Sequence, residues 1–384
     1  MREHCALRLT LAICLVACAV NLHAPLYERI AASSGAGVGA TTIAFACYVA
    51  GVLPVLLWLN GLAQRLGYRA PLVVALLLSL AATLSMMLAP SLFTLGAARW
   101  MLGVAMGLVT SIAPVYVQWL WRGPSLSKAL AYVTLSSALG FGLGAALTSA
   151  FLLYSPQALL WSSGLFLGAG TVSLLGVATL PDMSRDLDTQ PASLFRLPAY
   201  PPGSLPFGVA ILLAWSTVGL VIAVLPSALG THGLDVYSGF VVLGVCSAGV
   251  LFQPWARRLA PQRAVKGGLV ILPLSYVLLG WGVLSGTLWA VLLGALAASS
   301  ACYGFIYLGG LSAVMARAEG QTSRASAGYF LLAYVGFALP VMIVGLLVDA
   351  LGYRWAFGLY GALLFMACAL TAYRVARPTI PSVE

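Results

Sequence analysis

Negative charge is nearly missing from this sequence, and where it is missing matters more than how much is present. The 384 residues include nine acidic side chains: Glu3, Glu28, Asp182, Asp186, Asp188, Asp235, Glu319, Asp349 and Glu384. None falls in the middle of a long apolar run. Charged residues of both signs reach only 7%, where a soluble domain carries about 25%, while 61% are hydrophobic and the mean hydropathy is +1.01. That scarcity excludes a water-soluble fold. The apolar runs are continuous rather than alternating, which excludes a transmembrane barrel.

Other absences narrow the function. Of seven cysteines, six lie inside apolar runs and Cys5 just ahead of the first, so no disulfide framework is implied. Cys14 and Cys18 share a helix face, but no histidine or carboxylate joins them to complete a metal site. No cofactor is implied. A GxxxxGK[ST] loop is missing, so ATP is not the energy source. Paired intramembrane aspartates, HExxH and Ser/His arrangements are missing too, which speaks against an enzyme. The net charge of +10 is scattered between apolar runs rather than gathered on one segment, so nucleic acid is not the expected partner.

What remains is an all-α membrane protein. Twelve apolar segments run roughly over 7–27, 40–60, 70–89, 92–121, 126–153, 158–180, 206–229, 238–256, 267–285, 288–314, 325–350 and 355–373, each near the length that crosses a bilayer. Arg2 and Arg8 beside the first segment imitate a signal peptide. Removing it would leave eleven spans and put the halves out of register, so it is kept as a span. With both termini cytoplasmic, sixteen of the 19 Lys and Arg lie on the inner side. Only Arg29 and Arg354 lie outside, a strong positive-inside bias. The polar stretch at 181–205 reads as a cytoplasmic linker between six-helix bundles at 1–180 and 206–384. Ala63-Gln64-Arg65-Leu66 and Ala256-Arg257-Arg258-Leu259 each follow the second span of their half. Related halves with a site between them are a known transporter plan. A monomer in the inner or plasma membrane is expected.

The exception to charge-free spans is Arg99, about two turns inside Leu92–Trp121. A charge at such depth is costly and usually marks function. Gly103 and Gly107 share its helix face and leave room for the guanidinium or for a neighbouring helix. The competing reading is an arginine that caps carbonyls of a neighbouring helix and only holds helices together.

Span count, topology, linker and local motifs make the chain resemble the major facilitator superfamily of secondary transporters. Leu95, Arg99, Gly103 and Gly107 fit a fourth-span pattern of that family, in which the arginine links proton movement to substrate movement; Leu102 replaces a common glutamine. The loop Asn60–Arg69 resembles the family's cytoplasmic gating loop. Gln64, Arg65, Gly67 and Arg69 are its gate positions, with Gln64 where an aspartate is usual. Gly140-Phe141-Gly142-Leu143-Gly144 faintly resembles an exporter motif, with Phe141 in place of proline. In the first span, Asn21 stands where exporters of the family carry an acid four residues before a proline, here Pro25. That leaves His23 and Glu28 as candidate protonation sites toward the outer mouth.

A cavity holding Arg99 and no fixed anion would disfavour cations. Asn21, Tyr48, Tyr132, Trp215, Tyr303, Tyr307 and Tyr334 are the candidate lining residues, with Asn21 a hydrogen-bond partner of Arg99. The sequence thus points to a twelve-span, alternating-access, proton-coupled exporter of a small non-cationic organic compound. The alternatives are a symporter or facilitator importing an organic anion, and a non-transporting receptor on the same fold.

Overall fold

A computed structural model describes residues 2–58, 67–121, 126–182 and 197–376. Among them, twelve helical spans are long and apolar enough to cross a membrane. In order they are His4–Ser33, Val38–Trp58, Arg69–Leu88, Leu92–Trp121, Ala131–Leu152, Ala158–Ala178, Leu205–Ala223, Asp235–Ala256, Pro261–Ser285, Leu288–Met315, Thr322–Leu351 and Tyr353–Ala376. Only helices can satisfy every backbone group inside hydrocarbon without partners on another strand, and no strand occurs among the described residues. An even number of spans brings both termini to one end, called here the terminal end; the other is the distal end. Gln64 and Arg65 lie outside the described residues.

Spans one to six pack on one another, as do seven to twelve. The halves meet where the second span lies on the eleventh and the fifth on the eighth. Residues 197–204 leave the first half as coil and are pinned to the eleventh span. There the Ala199 N–H donates to the Arg324 carbonyl at 3.0 Å and Arg324 Nε donates to the Leu197 carbonyl at 3.0 Å.

Two spans break at equivalent places. The first span's helix ends at Asn21, passes through a 3-10 turn at Ala24–Leu26 and resumes at Tyr27–Ser33. The seventh ends at Ala223 and resumes at Leu225–Gly230. Pro25 and Pro226 sit at the two breaks; each lacks the N–H an α-helix would donate to the carbonyl four residues earlier. The breaks therefore leave carbonyls at the middle of the molecule in need of other donors.

A close helix approach in the first half follows from Gly103. A Cβ there would run into the Tyr48 carbonyl, and one on Gly107 would meet Val55 Cβ at 2.8 Å. Small residues let backbones meet where the lipid supplies no hydrophobic drive, and this seam carries the fourth span onto the second.

Candidate functional site

A cavity of about 400 Å³ lies between the halves, within the range of about 300–1,000 Å³ typical of small-molecule sites. Its walls come from the terminal parts of spans two, four, five, eight and eleven, through residues such as Leu56, Thr110, Ser137, Gln253 and Ser326. Its floor, near the middle of the membrane, is aromatic. Trp215 meets Tyr334 edge-on at 5.0 Å between ring centroids and Phe337 at 5.9 Å. Tyr48 packs on Phe337 at 6.0 Å, and Tyr303 lies 6.5 Å from Trp215. Asn21 completes the floor.

Beyond the floor the halves are closed. Asp349, at the distal end of the eleventh span, reaches across to the first turn of the second. Its Oδ1 accepts the Val38 N–H and its Oδ2 the Gly39 N–H, both at 2.8 Å. Arg29 and Asp235 form an ion pair between the halves at 3.2 Å. The Ser149 hydroxyl accepts the Gly239 N–H at 2.8 Å. The cavity thus opens toward the terminal end and is sealed toward the distal one.

Six of the residues expected from sequence line this cavity: Asn21, Tyr48, Trp215, Tyr303, Tyr307 and Tyr334. Four do not. Arg99 is 1% exposed and lies one layer behind the wall. Its Nη1 donates to the Val20 carbonyl at 2.7 Å and its Nε to the Phe45 carbonyl at 3.3 Å. Its guanidinium carbon stands 4.3 Å from the Phe45 ring centroid and 4.9 Å from that of Tyr48. The break in the first span explains this placement, because a carbonyl freed at depth attracts the nearest strong donor. The expectation of a guanidinium facing an open vestibule is therefore corrected: the arginine braces spans one, two and four.

Asn21 is not its partner. The Asn21 Nδ2 donates instead to the Phe141 carbonyl at 3.0 Å and approaches Cys246 Sγ at 3.9 Å. His23, in the break of the first span, is buried against the sixth span, its Nε2 3.2 Å from the Ser163 hydroxyl, and does not line the cavity. Glu28 lies at the distal seal, its carboxylate packed on Gly230 of the seventh span. Tyr132 is 43% exposed and leans on Trp121, with centroids 4.2 Å apart. No acidic, basic or histidine side chain lines the cavity among the described residues.

Of the gating loop, Gly67 and Arg69 can be placed. Gly67 has φ +81°, a conformation that L side chains rarely adopt. A Cβ there would meet the Asp182 carboxylate at 2.6 Å. That carboxylate accepts the Tyr68 N–H at 3.1 Å and the Arg69 N–H at 3.4 Å, capping the third span from within the same half. Arg69 Nη1 donates to the carbonyls of Ala178 and Leu180 at 3.3 and 3.4 Å.

Sequence reasoning passed over Gln253 and Phe337, both in the cavity wall, and the bridging role of Asp349. A glutamine in Phe252-Gln253-Pro254-Trp255, just ahead of Arg257-Arg258, was the one available signal.

Comparison with known proteins agrees with this architecture. Two crystal structures of the nucleoside transporter NupG superpose on nearly the whole chain. One, of a mutant form, gives a TM-score of 0.79 at 11% identity, covering 96% of this chain and 99% of that one. The other gives 0.75 at 11% identity, covering 98% and 99%. At such identity the likeness speaks for fold alone. A search of curated protein sequences finds no match. A family profile described as Major Facilitator Superfamily matches residues 9–285, most of the chain. With twelve spans in two six-helix halves and a midplane cavity between them, the chain belongs to the Major Facilitator Superfamily.

Proposed function

We propose that this secondary transporter carries a small uncharged organic solute inward, as a proton symporter or a facilitator. One observation carries the reading: a cavity of aromatic and neutral polar side chains, open at one end and sealed at the other, with no charge of either sign in its described lining. An ionic solute entering it would give up hydration without gaining a counter-charge, which costs several kcal/mol or more. An organic-anion cargo had its sequence support in Arg99, whose guanidinium is engaged with backbone carbonyls. Nucleosides, named for the similar NupG structures, fall within the class of uncharged ring compounds that such a lining suits.

Export drew its sequence support from the fifth-span glycines. Those glycines serve packing: Gly140 abuts the Cys14 carbonyl and Gly144 the Cys18 carbonyl. The described lining holds no carboxylate or histidine to carry a proton for antiport or symport. Carboxylates stand instead at the distal seal, as Glu28, Asp235 and Asp349, where a proton could bias opening. The positive-inside distribution assigns the terminal end to the cytoplasm, so the conformation described faces inward. Arg99 would act through the backbone it holds beside Asn21 and under Tyr48 rather than by touching solute.

Proteoliposomes holding the purified protein test this with tritiated uridine as an uncharged solute and benzoate as an anion. Uridine should enter, either accelerated by an inward proton gradient or equilibrating without one. Uridine accumulation only in exchange for protons moving outward, or preference for benzoate, would overturn the reading.

A further inference from the structure

Two spans depart from α-helix where they border the cavity. The eighth tightens to 3-10 over Ala248–Phe252, and the tenth widens to a π-helix over Ser300–Ile306. The two irregular turns lie against each other. The Gly249 N–H donates to the Ser299 hydroxyl at 2.7 Å. A Cβ on Gly249 would meet Tyr303 Cβ at 2.7 Å, and one on Gly304 would meet Phe252 Cβ at 3.0 Å. Irregular turns inside long helices are uncommon and recur at functional sites, and transporter sites are often built from interrupted spans.

Three residues with polar side chains, on the seam or next to it, line the cavity: Gln253, Tyr303 and Tyr307. Gln253 is 6% exposed. Its Nε2 donates to the Tyr303 carbonyl at 3.5 Å, long enough to be a weak bond. Its Oε1 accepts from no protein group among the described residues. A second observation is independent of the seam. The buried indole Nε1 of Trp215, in the same cavity, has no hydrogen-bond partner among the described residues. A buried polar group left unpaired is costly, which favours a ligand that supplies the partner.

We propose that this seam reads an uncharged planar heterocycle whose edge carries a hydrogen-bond donor beside an acceptor, as in a lactam or nucleobase. The proposal rests on the transporter reading above and names the cargo of that site. A carboxamide offers an N–H beside a C=O, so its complement is an acceptor beside a donor; glutamine reads adenine in DNA by this geometry. Trp215, Tyr303 and Tyr334 supply flat and edge-on aromatic surface for the ring, and Trp215 a further donor for an exocyclic carbonyl. The absence of lining charge removes the ionised members of the class.

Equilibrium titration of the purified protein in detergent, followed by intrinsic tryptophan fluorescence, decides it. The probes are uracil, 1,3-dimethyluracil, which keeps the ring but loses both N–H donors, and orotate, which adds a carboxylate. Uracil should bind about tenfold tighter than either. Gln253→Leu should lower uracil affinity to the level of 1,3-dimethyluracil and leave the latter unchanged. If that variant melts early, the three-ligand series on the unmodified protein still decides. Equal affinity for uracil and its dimethyl form, tighter binding of orotate, absence of uracil binding, or a Gln253→Leu loss shared by both rings would overturn the proposal. Because binding needs no gradient, the two readings fail separately. Selective uracil binding without flux in proteoliposomes defeats the transporter reading alone. Flux of an ionic solute indifferent to Gln253→Leu defeats this one alone.

Discussion

Asp349 and Asp182 perform the same chemistry at opposite ends of the molecule, with different reach. Each is a carboxylate that accepts two consecutive backbone N–H groups at the start of a span: Val38 and Gly39 for Asp349, Tyr68 and Arg69 for Asp182. In both, a negative charge meets the positive end of a helix dipole and satisfies donors the helix itself cannot. Asp182, however, belongs to the same half as the helix it caps, whereas Asp349 caps a helix of the other half. Alternating access must separate the halves at the distal end, so it must break the Asp349 bonds and can leave those of Asp182 intact. One interaction therefore stabilises the fold in every state, and the other stabilises one state against the rest.

The largest test of that distinction is Asp349→Asn. An amide cannot accept at both positions with equal strength and carries no charge. Charge-assisted bonds contribute about 1.5–3 kcal/mol each, so a net loss of about 2 kcal/mol, or a roughly 30-fold shift toward distal opening, is expected. The substitution Ser238→Cys, made in an otherwise cysteine-free background, reports it. Ser238 is buried at the distal end and its hydroxyl has no partner to lose. Labelling of the Ser238→Cys thiol by a membrane-impermeant maleimide should accelerate about 30-fold, and an unchanged rate would mean that the Asp349 contact does not hold the seal.

Steric closure should come next. A methyl on Gly345 would meet Thr42 of the opposite half, with Cγ2 at 2.7 Å. Overpacking costs about 1–3 kcal/mol, and only in the sealed state. Gly345→Ala is thus expected to speed labelling of the same reporter about tenfold with little change in melting temperature. Asp182→Asn should do the reverse. Losing a helix cap costs about 1 kcal/mol, expected as a fall of about 2 °C in thermal melting with the labelling rate unaltered. A shift in labelling would show that the third-span cap takes part in gating.

How much of this could be read in advance depended on whether a feature is local. Twelve spans follow from run length, a local property of the chain. The depth of Arg99 was equally plain. Its direction was not, because it is set by carbonyls of two other spans, those of Val20 and Phe45, 79 and 54 residues from Arg99. Capping of carbonyls was one of two readings the residues allowed, and Arg99 does donate to carbonyls of two other spans. Tyr132 was placed in the cavity and lies outside it because spans apolar on all sides offer no periodic signal for which face turns inward. Asp349 looked like a simple span end, its partners lying 310 and 311 residues away. Gln253 was hidden among the ordinary polar residues of a span terminus, and nothing in the sequence announces the 3-10 and π turns that fix it.

The smallest effect belongs to another distal contact, the Arg29–Asp235 pair. It too joins the halves, so the logic that applies to Asp349 applies here in kind. Its magnitude differs because it is a single ion pair in contact with water, which contributes only about 0.2–1 kcal/mol, whereas Asp349 accepts two direct bonds from a helix N-terminus. Arg29→Gln is therefore expected to speed labelling of the Ser238→Cys reporter about twofold. Salt separates this contact from the Asp349 one. Raising ionic strength to about 0.5 M shortens the screening length below about 5 Å. The reporter protein without further substitution should then label like Arg29→Gln, while the far larger Asp349→Asn effect persists, because the donors to Asp349 are uncharged backbone N–H groups rather than a second ion. If salt erased both effects equally, the seal would be a matter of net charge at the distal surface rather than of a carboxylate seated on a helix of the opposite half.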